Sequence, residues 1–358
     1  MTTRPYGTTL NSGSSRPFKS LGEIKMINET YHLWSTEEYT YPVMGQFIPN
    51  VVTYIHEEDD RKRPALMVVP GGGYSMVSPT EGELVAKEFY RKGYNAFVVT
   101  YTTNLLKRSP LRMQPLKDLS KAVMFVRKRV EQFNIDPTKV TICGFSAGGH
   151  LCGSLAVHHD AKELVLDGEY EGISNRPDAV ILSYPVITSG EYGHKDSFIS
   201  LFGSNATQEE LDYMSLEKHV TKETPPTFIW HTATDELVPV ENSYLFANAC
   251  KEQGIAFEHH VFGNGKHGLS LANEEWASGN FGEDYTLQQF YETIQYLVDN
   301  GNDLPEPFNT FGGIPEGISV KEAFKQALKQ FVQYNQPDQG IAVWPELANN
   351  WLRKLFGI

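Results

Sequence analysis

Residues 139–150 read Lys-Val-Thr-Ile-Cys-Gly-Phe-Ser-Ala-Gly-Gly-His, and this stretch decides the fold. Its first five residues have the pattern of a short buried strand, and small side chains continue to His158 as a helix. Between them, Gly144–Gly148 matches G-x-S-x-G, a sharp strand-to-helix turn that exposes a serine at the carboxyl edge of a sheet. Glycines let the strand and helix approach closely around a strained serine. The stretch therefore predicts Ser146 as a nucleophile on an α/β sheet, with a non-catalytic glycine-rich turn as the alternative.

Two later segments supply the partners that a nucleophilic serine needs. Residues 227–231 read Thr-Phe-Ile-Trp-His and predict a strand, and Asp235 follows where catalytic groups of open α/β sheets collect. Residues 257–262 predict another strand, and His267 follows in a loop flanked by glycines. A base takes the serine proton and a carboxylate orients that base. We predict His267 and Asp235 for these roles; Glu236 is a rival carboxylate, and a surface histidine or a solvated turn residue is the structural alternative.

A glycine loop completes the predicted site. Residues 65–69 predict a hydrophobic strand, and Pro-Gly-Gly-Gly-Tyr follows at 70–74. A tetrahedral oxyanion needs preorganised N–H donors, each worth about 3 kcal/mol by deletion. By the lipase-type glycine motif, Gly72, Gly73 and Ala147 are predicted to donate them, and Tyr74 is predicted to contact the substrate. The spacings of phosphate-binding glycine loops are absent, which disfavours a nucleotide site.

The composition favours a soluble enzyme. The chain has 358 residues with 40% hydrophobic and 12% aromatic content, enough for a sizeable core. A net charge of −13 argues against a nucleic-acid partner and favours solubility in a neutral cytoplasm, the predicted location. The sequence has neither an apolar stretch near the length of a membrane span nor a recognisable secretory signal. Cys143, Cys152 and Cys250 form no predicted disulfide framework, and the first two are expected in the core.

No metal site is predicted. His259 and His260 are adjacent on an alternating strand, so their side chains point to opposite faces, and no other spacing suits a metal.

Four segments are expected along the chain: residues 1–29, 30–274, 275–340 and 341–358. Residues 1–29 lack periodicity and predict a disordered or loosely docked tail. Residues 30–274 alternate strand and helix signals, including an apolar stripe from Leu116 to Phe133 that predicts a helix. Residues 341–358 carry the stripe of a terminal helix.

Residues 275–340 are expected to form an inserted helical unit. This segment is far longer than a connection needs, and it carries two amphipathic stripes, 287–297 and 320–331. It leaves the chain soon after His267, beside the predicted site. Three interpretations remain open: a lid or pocket wall, a contact in a homo-oligomer, or extra core packing without a functional role.

The order of these motifs resembles the α/β-hydrolase esterases related to acetyl esterases and bifunctional acetylxylan/feruloyl esterases. The matching pieces run from about residue 46 to 271 and include 70–74, 78–86, 93–98, 144–151, 183–187, 225–228, 235–239 and 267–270. The resemblance implies a doubly wound, mostly parallel sheet and the hydrolysis of carboxylic esters, often of acetylated sugars, without a cofactor. Glu81 and Glu83 fall within the matching pieces, but the sequence gives neither a role; for Glu83, a first-turn helix carboxylate is the expected interpretation.

We therefore predict a serine carboxylic ester hydrolase that acts on short acyl esters, with acetyl groups on carbohydrates as the favoured substrates. A peptidase of the prolyl-oligopeptidase type and a non-catalytic binding module on the same fold are the alternatives. A binding module would have no chemical reason to keep every triad and oxyanion position filled.

Overall fold

The computed structural model describes residues 26–57, 59–306, 308–309 and 313–358, and it gives only the backbone of Phe331. Most of the predicted tail, residues 1–25, lies outside this range, so the expectation for it stays a prediction. The strands are β1 (Met26–Ile27), β2 (Thr30–His32), β3 (Asn50–His56), β4 (Arg63–Val69), β5 (Asn95–Thr100), β6 (Ile135–Phe145), β7 (Ala179–Ser183), β8 (Thr227–Thr232) and β9 (Phe257–Phe262). The helices are α1 (Glu83–Arg91), α2 (Gln114–Lys128), α3 (Ala147–His158), α4 (Lys195–Phe202), α5 (Gln208–Tyr213), α6 (Glu241–Gln253), α7 (Glu274–Ala277), α8 (Gln288–Asp299), α9 (Val320–Val332) and α10 (Trp344–Phe356).

The strands of the described residues form one sheet in the order β1-β3-β5-β4-β6-β7-β8-β9, with β2 paired to β3. β3 runs antiparallel to β5, and the strands from β5 across to β9 run parallel. The doubly wound, mostly parallel sheet predicted from the sequence is thereby confirmed. Because the carboxyl ends of parallel strands share one edge, the loops after β4, β6, β8 and β9 open on the same side.

Helices cover both faces of this sheet. In β4, Met67 and Val69 pack with the side chains of α2, α3 and α6, while Leu66 and Val68 pack with those of α1 and α10. A strand that is buried on both faces reads as a continuous apolar run instead of alternating, and β4 has that pattern.

The turn between β6 and α3 leaves no room for side chains at two of its glycines. A Cβ atom on Gly148 would lie 2.2 Å from the carbonyl oxygen of Val69, and one on Gly144 would lie 2.2 Å from the carbonyl oxygen of Gly148. Ser146 has φ +52°, a backbone conformation that L-residues rarely adopt. The glycines of the G-x-S-x-G motif are therefore required by backbone packing, and they hold the serine in a strained turn.

The helix predicted from Leu116 to Phe133 ends earlier than expected. α2 stops at Lys128, and the backbone then turns through Asn134, which has φ +46°. Phe133 is still buried, but it packs edge-on against Phe97 of β5, with ring centroids 5.3 Å apart. Its apolar spacing thus reflects core packing after the helix end. All three cysteines are buried and free, as the sequence predicts for Cys143 and Cys152.

The segment between the histidine loop and α10 contains helices at both predicted stripes. α8 and α9 pack against each other around Phe290, Phe308 and Phe324. The N–H of Asp338 donates to the carbonyl oxygen of Ala272 at 2.8 Å, so the segment begins and ends at nearly the same point. Within the described part of the chain, no helix combines the length and apolarity needed to cross a membrane.

Candidate active site

Ser146, His267 and Asp235 meet at the carboxyl edge of the sheet. The Nε2 of His267 lies 2.8 Å from the Oγ of Ser146, and its Nδ1 lies 2.7 Å from the Oδ2 of Asp235. The serine follows β6, the aspartate follows β8 and the histidine follows β9. These distances permit a proton to pass from the serine to the imidazole while the carboxylate holds the opposite ring nitrogen.

Backbone hydrogen bonds fix the strained serine. The N–H of Ser146 donates to the carbonyl oxygen of Ser183 at 3.0 Å, across from β6 to β7. Its own carbonyl oxygen accepts from the N–H groups of His150 and Val186. Ser146 is only 7% exposed, so its hydroxyl lies in a largely dry site. Low solvent access strengthens every electrostatic interaction around that oxygen.

The carboxylate of Asp235 is held on both of its oxygens. Oδ1 accepts hydrogen bonds from the backbone N–H groups of Leu237 and Val238, and Oδ2 faces His267. Burial alone would raise the pKa of Asp235, but the hydrogen bonds from His231 and His267 outweigh it and hold that pKa well below its usual range. Asp235 is therefore ionised beside the imidazole. Glu236, the alternative carboxylate that the sequence offers for this role, is exposed.

The three predicted oxyanion donors border the serine turn with their N–H groups unused. Among the described residues, no protein acceptor pairs with the N–H of Gly72 or Gly73. Ala147 is the first residue of α3, where an N–H has no acceptor within the helix. Gly72 and Gly73 have φ +117° and +62°, so their backbone takes shapes suited to glycine.

Tyr74 is placed away from the predicted substrate position. It is 1% exposed, and its hydroxyl lies 2.8 Å from the Nδ1 of His150. Its backbone has a φ of +58°, and its ring also packs edge-on against Tyr101 in the core. Although Tyr74 follows Gly73 directly, its side chain is buried against His150 and Tyr101 and is not exposed at the loop surface.

Three further side chains, those of Glu81, Tyr184 and His194, lie at this edge, and the sequence predicts no role for them. Glu81 lies under the glycine loop, and its carboxylate accepts a hydrogen bond from the hydroxyl of Tyr184 at 2.8 Å. The imidazole of His194, from the segment before α4, lies beside Gly73: its Cε1 would be 3.8 Å from a Cβ atom at that glycine. Its Nδ1 pairs with the Oγ of Ser197 at 2.8 Å, and burial lowers its pKa. The spacing of these residues carries no signal, because their contacts join segments far apart in the chain.

A family model named BD-FAE matches residues 52–250, which include the glycine loop, the serine turn and Asp235. The chain belongs to the BD-FAE family. The predicted resemblance to α/β-hydrolase esterases is therefore confirmed.

Individual relatives of this BD-FAE chain include two curated bacterial proteins. The chain is 54% identical over 269 residues to an endo-1,4-beta-xylanase B from Butyrivibrio fibrisolvens, covering 75% of the chain and 41% of that protein. It is 30% identical over 256 residues to an acetylxylan esterase from Xylanibacter ruminicola, covering 69% of the chain and 49% of that protein. The BD-FAE chain thus spans less than half of the length of either relative.

The BD-FAE chain matches one solved structure over nearly the whole length of that structure. It is an acetyl ester-xyloside bifunctional hydrolase from Caldicellulosiruptor lactoaceticus, with a TM-score of 0.63 and 34% identity. The match covers 78% of this chain and 98% of that one. The α/β-hydrolase fold is common to both.

Proposed function

We propose that the protein is a serine carboxylic ester hydrolase that removes short acyl groups, acetyl above all, from carbohydrates. The observation that carries the proposal is the line of contacts from Ser146 Oγ through His267 to Asp235, at 2.8 and 2.7 Å. A nucleophile, a base and an orienting carboxylate in hydrogen-bond reach form the arrangement that acyl transfer to serine requires.

The first half of the reaction acylates the enzyme. Ser146 Oγ attacks the ester carbonyl carbon while His267 Nε2 takes the hydroxyl proton. The N–H groups of Gly72, Gly73 and Ala147 donate hydrogen bonds to the oxyanion of the tetrahedral intermediate. The intermediate then collapses: the C–O bond to the alcohol breaks, and His267 gives its proton to the leaving oxygen.

The second half releases the acid. A water molecule loses its proton to His267 and attacks the acyl-enzyme carbonyl, and the Ser146 oxygen leaves with the proton returned by the imidazole. Asp235 stays ionised throughout and stabilises the imidazolium that forms twice in each cycle. Activity therefore falls on acidification, because a protonated imidazole cannot accept the serine proton.

The names of the relatives support acetylated carbohydrate as the substrate class. One is an acetylxylan esterase and another is an acetyl ester-xyloside bifunctional hydrolase. The relative named as a xylanase is matched over only 41% of its length, so its name covers far more protein than this chain. The Ser-His-Asp contacts suit ester cleavage, whereas glycoside hydrolysis commonly uses two carboxylates that flank the bond.

We also propose that the α8–α9 unit forms one wall of the substrate pocket. Its apolar side chains pack against Met76, Leu105 and Leu106. Met76 lies directly beside the oxyanion loop, since its Cγ would be 2.9 Å from a Cβ atom on Gly72. A contact between subunits through the same unit and extra core packing without a functional role are the competing interpretations.

A substrate panel tests the proposed function. It contains p-nitrophenyl esters from acetate to decanoate, acetylated xylo-oligosaccharides, a feruloyl ester and a peptide p-nitroanilide. We expect kcat/KM to be highest for acetyl esters and to fall as the acyl chain lengthens. Cleavage of the anilide without ester cleavage would support the peptidase alternative instead.

Ser146→Ala provides the mechanistic arm of this test. Loss of a triad nucleophile lowers kcat by a factor on the order of 10⁶. Ser154→Ala is the matched control, because it removes another buried hydroxyl from the neighbouring helix, where Ser154 Oγ donates only to the His150 carbonyl and to Met214. We expect the control to stay within a few-fold of the wild type. Substantial turnover by Ser146→Ala would rule out the proposed mechanism.

A further inference from the structure

Glu81 is a buried carboxylate that the acyl-transfer steps do not use. It ends the 3-10 turn Pro79–Glu81 and is 4% exposed. Its Oε2 accepts a hydrogen bond from the N–H of Gly71 at 2.7 Å, and its Oε1 accepts one from the hydroxyl of Tyr184 at 2.8 Å. Each oxygen therefore has one donor, which is the pattern that satisfies a buried carboxylate.

Tyr184 extends the connection to the histidine loop. Its hydroxyl oxygen accepts from the N–H of Ser270 at 3.0 Å, three residues beyond His267. Its ring meets the imidazole of His267 edge-on, with centroids 5.0 Å apart. Tyr184 follows β7 with φ +36°, and its N–H donates to the carbonyl oxygen of Trp230 at 2.7 Å. The tyrosine is thus anchored in the sheet while its hydroxyl joins two loops.

Gly71 connects Glu81 to the nucleophile side of the site. A Cβ atom on Gly71 would lie 2.9 Å from the Cβ of Ser146 and 3.1 Å from the Oε2 of Glu81. The backbone of Gly71 therefore sits between the carboxylate and the serine. Because Gly72 and Gly73 follow directly, the bond to Gly71 sets where their N–H groups point.

Several titratable groups surround the carboxylate and the imidazole. Burial raises the pKa of Glu81, while the bonds from Tyr184 and Gly71 and the field of His267 oppose that rise. Tyr101 and Cys143 also face Glu81, and each has its pKa raised mainly by burial.

His267 in turn lies in the fields of three groups. Asp235 contacts it directly, Glu81 lies on the side of the glycine loop, and His194 lies on the side of α4. Glu81 and Asp235 are the two carboxylates among them.

We propose that Glu81 is a positioning residue, which with Tyr184 locks the oxyanion loop to the histidine loop and adds a second negative charge near His267. This inference rests on the proposed ester hydrolase function. The carboxylate holds the oxyanion N–H donors and the base at fixed positions relative to each other. Their distances to the reacting carbonyl are therefore set before substrate binds. Small misplacements of such groups cost large factors in rate.

An amide cannot replace the carboxylate in this role. Glutamine has one acceptor oxygen, whereas Glu81 accepts from two donors, Gly71 and Tyr184. In Glu81→Gln one of these donors would face the NH₂ group instead, and the negative charge near His267 would be lost. A negative charge favours the protonated imidazole, so its removal moves the acid limb of the kcat/KM profile to lower pH.

The test compares Glu81→Gln with Glu83→Gln, using p-nitrophenyl acetate and the full pH profile. Glu83 is the matched control: it is a buried carboxylate two residues along, which pairs with Lys87 and accepts from the N–H of Glu283. We expect Glu81→Gln to lower kcat by about 10- to 100-fold and to displace the acid limb to lower pH. We expect Glu83→Gln to change neither.

Tyr184→Phe provides an independent arm that keeps the charge of Glu81. It removes the bridging hydroxyl from Glu81 and Ser270, so we expect kcat to fall by about 10-fold with the acid limb in place. If both residues act through one bridge, the double variant should lose less than the product of the two single losses.

Two results would overturn the proposal. One is a folded Glu81→Gln enzyme with the kcat of the wild type or with an unmoved acid limb. The other, decisive if Glu81→Gln does not fold, is a Tyr184→Phe enzyme with unchanged kcat. A wild-type protein that hydrolyses no ester would instead refute the proposed function, so the two failures are distinguishable.

Discussion

The Nε2 of His231 lies 3.4 Å from the Oδ2 of Asp235, the same oxygen that faces the Nδ1 of His267. His231 is fully buried in β8, and its Nε2 is also 2.9 Å from the carbonyl oxygen of Val238. The N–H of Val238 donates back to Oδ1 of the same aspartate. His231 thus secures both the carboxylate and the turn that carries it.

We expect His231→Gln to lower kcat by roughly 10-fold with little change in KM, because a loosened Asp235 orients the base less well. Steady-state kinetics on p-nitrophenyl acetate measure both parameters. His260→Gln is the matched control, since His260 lies on the adjacent strand and pairs with Glu258, away from the triad. Equal kinetics in the two variants would show that His231 serves only the fold.

Asp235→Asn should cost far more activity than Glu236→Gln. The amide would favour the wrong imidazole tautomer, which in serine proteases costs about 10⁴-fold in kcat. Glu236 is exposed, whereas Asp235 is buried against His267. The reverse ranking of the two kcat values would make Glu236 the orienting carboxylate.

Tyr74→Phe should weaken the fold and leave KM unchanged. The hydroxyl lies 2.8 Å from His150 Nδ1, and the Nε2 of that ring is 2.9 Å from the Met214 carbonyl oxygen. The variant would leave a buried ring nitrogen unpaired, at a cost of about 1–3 kcal/mol in the free energy of unfolding. Denaturant unfolding and kinetics separate the two effects. A raised KM with unchanged stability would restore the substrate-contact prediction.

The free energy of unfolding should fall as the pH is lowered from about 6.5 toward 4. Burial lowers the pKa of His150 to about 4 in the folded protein. Between these two pH values the unfolded chain therefore binds a proton at His150 and the folded chain does not, which favours unfolding. Each such histidine removes up to ~1.4 kcal/mol of stability per pH unit. Urea unfolding at pH 7 and pH 5 should therefore differ less in His150→Gln than in the wild type. His158, whose pKa burial also lowers to about 4, stays in both proteins, so the difference isolates His150.

Replacing the inserted segment, residues 275–340, by a short Gly/Ser linker should change substrate choice more than chemistry. The linker would remove the proposed pocket wall, which packs against Met76, so the ratio of kcat/KM between acetyl and bulkier esters should shift. Acetyl ester turnover should persist at reduced stability, because Gln289 no longer bonds the backbone of Thr103. Light scattering on the same protein tests the alternative: an unchanged ratio with a halved mass would identify a subunit contact.

The sequence predicts the triad geometry because each member follows a strand of the sheet. Ser146, Asp235 and His267 come after β6, β8 and β9, and parallel strands bring such positions to one edge. The apolar strand patterns and the glycines that mark these positions are local features of the sequence. The positions can therefore be predicted without knowledge of the fold.

The remaining contacts of the site depend on distances that no local pattern encodes. Glu81 meets Tyr184 across the sheet, and His194 reaches Gly73 from a segment with no motif. Tyr74 is predicted to contact the substrate, but its side chain is 1% exposed, its hydroxyl faces His150, and its backbone has a φ of +58°. A backbone torsion of this kind in a non-glycine residue cannot be inferred from residue type alone.

The hydrogen bond from Asp338 to Ala272 also has an evolutionary consequence. Because this hydrogen bond joins the two ends of the segment, the chain leaves the sheet and returns to it at nearly the same point. Helix α10 then packs on the sheet through the stacking of Trp344 on Trp230. The number of residues between Ala272 and Asp338 can therefore change without displacing the strands of the sheet. The closure entropy of a loop also grows only slowly with its length. We therefore expect insertions or deletions at this position to leave the edge that carries Ser146 intact. We likewise expect a fluorescent protein grafted between Ala272 and Asp338 to leave the order and pairing of the strands unchanged.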